Sequence, residues 1–291
     1  MKYVFMTDVS CDLTQKQVDE IGVAVIPMEF QIEDKCYMHY PDCRMMKLDE
    51  FYNIIDEGAY PKTTQINIDS FKRYFEQYLK AGKDVLYTGI PTGLSGTFST
   101  SCRIAVEELK EKYPKRKIIA IDSVCDSAGL GLLVYMAGKK YQEGVTIDEL
   151  ADYIDSVKGS IAHWFVVEDL EHLKRGGRIS AVAATFGKAL QIKPLISCDE
   201  TGKLLNVGKI RGKSHVIDTL VKYVKRDGEN LKKSTVFIGH ANNPELAKEL
   251  KKAIKGMCKE VQLCEIGPII GSHVGSGMIA VVFPGKRNPQ A

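Results

Sequence analysis

The feature that most limits the fold of this chain is a regular alternation of short β-rich runs with helical runs. Strands are predicted at residues 4–7, 23–27, 84–90 and 117–121, and helices with apolar residues at three- and four-residue spacing follow them. A stop at Gly82 and a capping box from Thr146 to Glu149 mark two helix ends. This alternation predicts an α/β fold whose first half is a mainly parallel sheet flanked by helices, with ligands bound at the carboxyl ends of the strands.

The second half of the chain predicts a further α/β domain. Strands are expected at 161–167, in a hairpin around Thr201-Gly202-Lys203, and at 235–239, 261–266 and 278–283, with helices through Leu190, through Val224 and at 244–254. A chain of 291 residues is long enough for two cores. Because no proline-rich or low-complexity linker separates the halves, we predict two closely apposed domains, 1–160 and 161–291, with a cleft between them.

Charge and hydropathy argue against several classes of protein. The net charge of +3 is too small to indicate a nucleic-acid partner. No apolar run approaches the roughly 20 residues of a membrane-spanning helix, and the first residues predict a strand rather than a signal peptide. We therefore expect a cytoplasmic protein. The eight cysteines form no C-x-x-C pair, and no histidine lies at zinc-finger spacing, so free thiols and no metal site are expected.

Two polar segments in the first half follow predicted strands or precede predicted helices. In residues 7–12, the ordinary interpretation is that Ser10 or Asp12 caps the next helix and that Asp8 is structural. Thr63 and Thr64 are adjacent hydroxyls before a helix cap, a common arrangement in loops that also permits a ligand contact.

Two glycine-containing segments are better placed to meet a ligand. Residues 93–97 join a strand to a helix, where Ser95 either caps the helix or offers its hydroxyl, with free backbone N–H groups, to an anion. Residues 267–277 contain four glycines, which predict a loop with close backbone approach around His273. A histidine in such a setting is either structural or ligand-binding.

A fifth segment is basic. Between Lys174 and Lys213 there are nine Lys or Arg residues and two acidic residues. This composition is typical of a solvated positive face. It also permits docking of an acidic partner, a phosphate or an anionic membrane surface.

Taken together, these segments resemble the DegV family over nearly the whole chain and in the expected order. The matching residues are Thr7-Asp8-x-Ser10-Cys11-Asp12-Leu13, Thr63-Thr64-Gln65, Leu94-Ser95-Gly96-Thr97, Asp122-Ser123, Gly129-x-Gly131, residues 173–180, Lys193-Pro194, Lys209-x-Arg211 and residues 266–275. Each motif alone is weakly specific, whereas the ordered set is very specific. The chain departs from the family pattern at Thr64, where Ser is usual, and at Ser276, which replaces Pro.

The resemblance implies a DegV/EDD-type fold with a long-chain fatty acid in a tunnel between two domains. It implies that the chain is the FakB-like subunit of a bacterial fatty acid kinase, a lipid-binding carrier with no catalytic residue, metal or cofactor of its own. A separate ATP-dependent subunit would convert the presented acid to an acyl phosphate. The carboxylate is expected at Thr63, Thr64, Ser95, Gly96 and His273. Contacts to phosphate or to the partner are expected from Arg211, Lys174, Arg175 and Arg178.

Two alternative functions fit parts of the same pattern. A serine acyl-hydrolase or acyltransferase would use Ser95, His273 and either Asp8 or Asp122, but G-x-S-x-G requires a glycine where Thr97 stands. A subunit like that of dihydroxyacetone kinases would bind its substrate covalently through a histidine.

Overall fold

The computed structural model describes residues 1–179, 192–212 and 214–287. In the first half the elements are β1 Tyr3–Asp8, α1 Gln15–Ile21, β2 Ala24–Ile26, β3 Met28–Ile32, β4 Lys35–His39, α2 Leu48–Asp56, β5 Lys62–Thr63, α3 Ile68–Lys80, β6 Asp84–Gly89, α4 Arg103–Lys112, β7 Ile118–Asp122, α5 Ser127–Gln142 and α6 Ile147–Val157. In the second half they are β8 Ile161–Val166, α7 Glu171–Arg175, β9 Ile192–Cys198, β10 Leu204–Arg211, α8 His215–Asp227, β11 Thr235–His240, α9 Pro244–Ile254, β12 Glu260–Glu265, α10 Pro268–Val274 and β13 Ile279–Pro284.

The first half is built on a four-stranded sheet in the order β2-β1-β6-β7. Every neighbouring pair in this sheet is parallel, which confirms the predicted parallel sheet. All six residues of β1 are buried. A parallel strand covered by helices on both faces has this nearly continuous apolar pattern.

The second half is built on a six-stranded sheet in the order β10-β9-β8-β13-β11-β12. The pair β11–β12 is parallel, and the other pairs of this sheet are antiparallel. The predicted hairpin around Thr201 is confirmed as β9–β10. The predicted helix through Leu190 lies outside the described residues.

The helix ends follow local capping chemistry. The capping box predicted at Thr146 and Glu149 is confirmed at the start of α6, and Asn67 caps α3. The cap expected at Ser10 or Asp12 is wrong, since α1 is capped by Thr14, which forms a capping box with Gln17. Residues 9–11 form a separate 3₁₀ turn before that cap.

Residues 28–63 contain a small three-stranded sheet in the order β4-β3-β5. Helix α2 lies between β4 and β5 in the chain. The sequence patterns gave no prediction for this segment. The short strand β5 pairs with β3 at Phe30 and Thr63. This pairing fixes the position of the Thr63 side chain relative to α10, which also contacts β3 and β5.

The glycine-rich segment 267–277 is not the loop that its composition predicts. Residues 268–274 form helix α10, with Pro268 in the first turn and Gly275 ending the helix at a positive φ of 71°. Gly271 is needed inside the helix because a Cβ there would lie 2.8 Å from side-chain atoms of Phe51 and Tyr52. This glycine therefore allows α10 to pack closely on α2.

One continuous apolar core reaches from the first sheet to one face of the six-stranded sheet, and a second core fills the opposite face under α8 and α9. Helix α5 connects the two halves, since it contacts β1 and α6 on one side and β8, β11 and β13 on the other. Strand β8 begins at Ile161. The division of the chain into domains at this point stays a prediction. Within the described residues, no helix is long and apolar enough to cross a membrane.

Candidate functional site

Three loops that follow β1, β6 and β7 meet at one edge of the parallel sheet, as predicted. Oδ2 of Asp8 accepts hydrogen bonds from the Tyr87 hydroxyl at 2.7 Å and from the Ile90 amide at 2.9 Å. The carboxylate of Asp122 accepts from the Thr92 amide at 3.3 Å. Burial raises the pKa of Asp8. Through its contacts, Asp8 connects the end of β1 to the end of β6 and to the residue that follows it.

A cavity lies between this edge and the six-stranded sheet. The space between its wall atoms, counted together with the open solvent at its mouth, is about 720 Å³. Most of the wall is apolar and comes from both halves of the chain. The apolar lining residues include Met28, Ile90, Leu94, Phe165, Leu173, Leu204, Ile269, Ile270, Val274, Met278, Ala280 and Val282.

One end of the cavity is polar, and four side chains form this polar mouth: Thr63, Ser95, Arg178 and His273. The Thr63 hydroxyl and Nε2 of His273 are 2.8 Å apart. Nε of Arg178 donates to the Leu94 carbonyl at 3.1 Å, next to Ser95. Thr63, Arg178 and His273 also line a shallow outer depression, so the mouth faces solvent on that side.

His273 is held largely neutral at the mouth. Burial, with the nearby charge of Arg178, lowers its pKa to about 4. Its Nδ1 is buried and has no hydrogen-bond partner among the residues that the structure describes. The ring therefore contacts Thr63 through Nε2, while Nδ1 lies against Gly176, where a Cβ would be 2.2 Å away.

The two threonines predicted together lie in different environments. Thr63 lines the cavity, whereas the Thr64 hydroxyl donates to Oε1 of Glu29 at 3.2 Å on the exposed side of β5. This difference follows from the alternation of side chains along an extended backbone. The geometry thus brings Thr63, and not Thr64, to His273.

Ser95 and Gly96 directly precede the π-helical segment Thr97–Cys102. Oγ of Ser95 accepts from the Thr97 amide at 3.2 Å and donates to Oγ1 of Thr97 at 2.9 Å. A Cβ at Gly96 would lie 2.4 Å from Oε1 of Gln65, the flexible end of that side chain. Ser95 lines the cavity, and Gly96 lies just behind it.

Of the four predicted basic contacts, Arg175 and Arg178 line the outer depression at the mouth, whereas Lys174 and Arg211 do not. Arg178 lies in the mouth, Arg175 pairs with Glu171 and stacks 3.8 Å from the Tyr60 ring centroid, and Lys174 is exposed. Arg211 lines a separate surface depression beside α8. Lys213 and residues 180–191 of the basic segment lie outside the described residues.

The side chains considered for a hydrolase do not form a catalytic triad. The hydroxyl of Ser95 is bonded to Thr97, and His273 is bonded to Thr63. Asp8 and Asp122 are occupied by backbone amides at the strand ends. A nucleophile, base and orienting acid require successive hydrogen bonds. Across residues 1–179, 192–212 and 214–287, no three His, Cys, Asp or Glu side chains are grouped to hold a metal ion.

A second polar pair in the cavity wall was missed by sequence reasoning. His163 in β8 and Asp126 before α5 both line the cavity, and Nε2 of His163 lies 3.5 Å from Oδ1 of Asp126. Burial lowers the pKa of His163 well below its ordinary value and raises that of Asp126 to about 6. A single histidine in an apolar strand gives little sequence signal, so the pair was not predictable by composition or spacing.

His273→Gln tests the buried neutral state of this ring. Because the folded-state pKa is about 4 and the unfolded value about 6.5, the unfolded chain binds an extra proton between these pH values. The stability that the neutral ring retains above pH 6.5 is lost as the pH falls through 4. We expect the free energy of unfolding of the wild type, relative to the variant, to fall by up to about 1.4 kcal/mol per pH unit in this window. Urea unfolding at several pH values measures it.

The control for this experiment is His215→Gln. His215 is exposed at the start of α8, so its replacement should leave the difference between wild type and variant nearly constant across the window. An equally flat difference for His273→Gln would contradict a buried neutral imidazole.

The parallel sheet, the mixed sheet and the cavity between them define the class of protein: an α/β protein that encloses an apolar cavity with one polar mouth. The chain belongs to the DegV family. The sequence profile of this family of uncharacterised proteins matches residues 2–286. A DegV domain-containing protein of Clostridium perfringens is 36% identical over 286 residues, which cover 98% of each chain.

Solved structures of other family members have the same fold. A DegV family protein of Thermus thermophilus that binds fatty acid is 26% identical, with a TM-score of 0.86 over 97% of this chain and 99% of that one. A fatty acid binding DegV family protein of Streptococcus agalactiae is 28% identical, with a TM-score of 0.83 over 99% and 100%. The α/β fold predicted from the sequence is therefore confirmed.

Proposed function

We propose that this chain binds a long-chain fatty acid, with the tail in the apolar cavity and the carboxylate at the polar mouth. The observation that carries this proposal is the grouping of Thr63, Ser95 and His273 at one end of an otherwise mostly apolar wall. The two structural relatives that bind fatty acid support the same ligand class.

The energetic requirements of the two ends of a fatty acid differ. Burial of the tail contributes roughly 0.8 kcal/mol per methylene. The carboxylate needs hydrogen-bond donors to replace water. If Nε2–H of His273 donates to the oxygen of Thr63, the threonine hydroxyl is free to donate to the carboxylate. In this tautomer Thr63 supplies one donor at the mouth, and Ser95 supplies a second when its hydroxyl turns from Oγ1 of Thr97 to the ligand.

The proposal includes a role as a carrier subunit that needs no cofactor of its own. The carboxylate at the mouth would be presented to a separate ATP-dependent kinase subunit, which forms the acyl phosphate. Arg178 at the mouth is placed to stabilise the incoming phosphate charge. Lys174, Arg175 and the more distant Arg211 fit contacts with that partner, and the basic face fits transient contact with an anionic membrane.

Thr63→Val and Ser95→Ala test the carboxylate site, with Thr64→Val as the matched control. A hydrogen bond to a charged group contributes roughly 1.5–3 kcal/mol, so each of the first two changes should weaken fatty acid binding by about 10- to 100-fold. Thr64→Val should leave affinity nearly unchanged, because its hydroxyl donates to Glu29 outside the cavity. Titration calorimetry with a C18 acid measures all three. Equal losses at positions 63 and 64 would contradict this orientation.

The direct test of the proposed function is native mass spectrometry of the protein as purified. A mass increase that corresponds to a fatty acid, confirmed by solvent extraction, is the expected result. The carrier role is tested by adding a fatty acid kinase subunit with ATP and measuring acyl phosphate, which should form only when both proteins are present. A protein that neither purifies with nor takes up fatty acids would overturn the proposal.

A further inference from the structure

The cavity has a second polar position at the far end from the mouth. Residues 278, 280 and 282 of the β13 segment line the cavity, and His163 of β8 pairs with Val282 at the inner end of this row. From Met278 to Val282 the strand spans about 13 Å, at roughly 3.3 Å per residue. Leu173 and Arg178, which belong to the mouth end, follow the other end of β8. A ligand that fills the cavity therefore passes from the mouth toward His163.

The tautomer of His163 follows from its hydrogen bond. Nδ1 lies 2.9 Å from the carbonyl oxygen of Ile161, which accepts hydrogen bonds and cannot donate them. The proton of the neutral ring is therefore on Nδ1, and Nε2 is a bare acceptor. This Nε2 is buried and has no hydrogen-bond partner in the part of the chain that the structure describes.

No residue in the described part of the chain donates a hydrogen bond to Nε2. The nearest polar atom of Asp126 is another acceptor, the carboxylate Oδ1 at 3.5 Å, and its side chain is 13% exposed. Gly129 of α5 packs directly against the ring, since a Cβ there would lie 1.7 Å from Nε2. The Asp126 carboxylate accepts a hydrogen bond from the Cys198 thiol, so among the described residues here it is Nε2 of His163 that has no donor, and a buried acceptor in this state is costly to desolvate. A ligand group that donates a hydrogen bond would relieve this cost.

We propose that the inner end of the cavity, at His163 and Asp126, binds a hydroxyl group on the acyl chain, so that hydroxy fatty acids are the preferred ligands. This inference rests on the proposed fatty acid site. A hydroxyl supplies the missing donor, whereas a second carboxylate would add a third acceptor. A site built to hydrogen-bond a hydroxyl discriminates strongly against the analogue that lacks it.

The test is competitive native mass spectrometry of the full chain with equimolar stearic acid and single members of a positional series of monohydroxystearic acids. We expect at least one acid with its hydroxyl in the distal half of the chain to displace stearic acid about tenfold. 2-Hydroxystearic acid, whose hydroxyl lies at the mouth, should give no such preference.

Three variants assign the preference to the polar pair. His163→Phe removes the acceptor with little change in ring size, and Asp126→Asn supplies its own N–H donor to Nε2. Each should bring the ratio of hydroxylated to plain acid close to one. Phe165→Leu is the matched control, because Phe165 lines the same face of β8 without a polar atom. It should alter both affinities together and keep the ratio.

Several outcomes would overturn the proposal. One such outcome is that stearic acid competes equally with every positional isomer. Another is that the preference survives in Asp126→Asn while circular dichroism shows an intact fold. Either result would mean that the hydrogen bonds of His163 and Asp126 are made by another group, such as a bound water. If neither acid binds, the proposed fatty acid function itself is wrong. The two failures are thus distinguishable.

Discussion

Asp8→Ala is expected to lower the free energy of unfolding by about 3–5 kcal/mol. The buried carboxylate accepts from the Tyr87 hydroxyl, from the amides of Ile90 and Ser10, and from the Ser10 hydroxyl. Alanine leaves these donors without a partner, and β1 loses its connection to the loop after β6. Urea unfolding followed by circular dichroism measures the loss.

Two further variants make this prediction specific. Asp8→Asn keeps the shape but replaces one acceptor oxygen by a donor, so an intermediate loss is expected. Asp42→Ala is the control, since Asp42 forms an exposed pair with Arg44, and such pairs contribute about 0–1 kcal/mol. If Asp8→Ala were as mild as Asp42→Ala, the junction of strand ends would not depend on this carboxylate.

Ala280→Phe is expected to weaken binding of a C18 fatty acid by about 200-fold while the protein stays folded. Ala280 lies midway along the row of β13 residues that line the cavity. A phenyl ring there would exclude about four methylenes of the tail, at roughly 0.8 kcal/mol each, or about 3 kcal/mol in total. Titration calorimetry against acids of increasing length measures the effect.

Chain length provides the internal control for Ala280→Phe. An acid short enough to end before Ala280 should bind the variant and the wild type with similar affinity, because its carboxylate contacts at the mouth are unchanged. A uniform loss for short and long acids would indicate general distortion of the site. Full affinity for the C18 acid would mean that the tail does not pass over β13.

The elements that the sequence predicts well are those whose local chemistry agrees with their final environment. Helix α9 starts at Pro244, and α6 starts at the box formed by Thr146 and Glu149. In both helices, the residues at the start and the apolar face predict the same helix. The parallel strands were recognisable because both of their faces are buried, which requires uninterrupted apolar residues.

The failures occurred where distant contacts decide the structure. Helix α10 was predicted as a loop because its glycines lower helix propensity, yet Gly271 is required for contact with Phe51 and Tyr52 of α2. The sheet formed by β3, β4 and β5 was not predicted at all. Since β5 carries Thr63 and α2 packs against α10, which carries His273, the surroundings of Thr63 could not be derived from local patterns.

Residues of the candidate site can be named from the sequence, whereas their relative positions cannot. The sequence marks Ser95 by its position between a strand and a helix and His273 by its glycine-rich surroundings, although His273 lies inside α10. The structure brings His273 to Thr63. To know that Thr63, and not Thr64, faces the cavity requires the register of β5, which is set by its pairing with β3. His163 required knowledge of which strand face lines the cavity, and that information is not local.

The packing of helix α5 limits how chain segments can be recombined between members of this family. It is buried nearly all round because it packs against elements of both halves, and its Gly138 lies so close to α1 that a Cβ would be 2.6 Å from Ile21. A chimera joined at residue 160 would pair one parent's α5 with the other parent's β11 and β13. Recombination between relatives should therefore succeed only when these facing surfaces are inherited together.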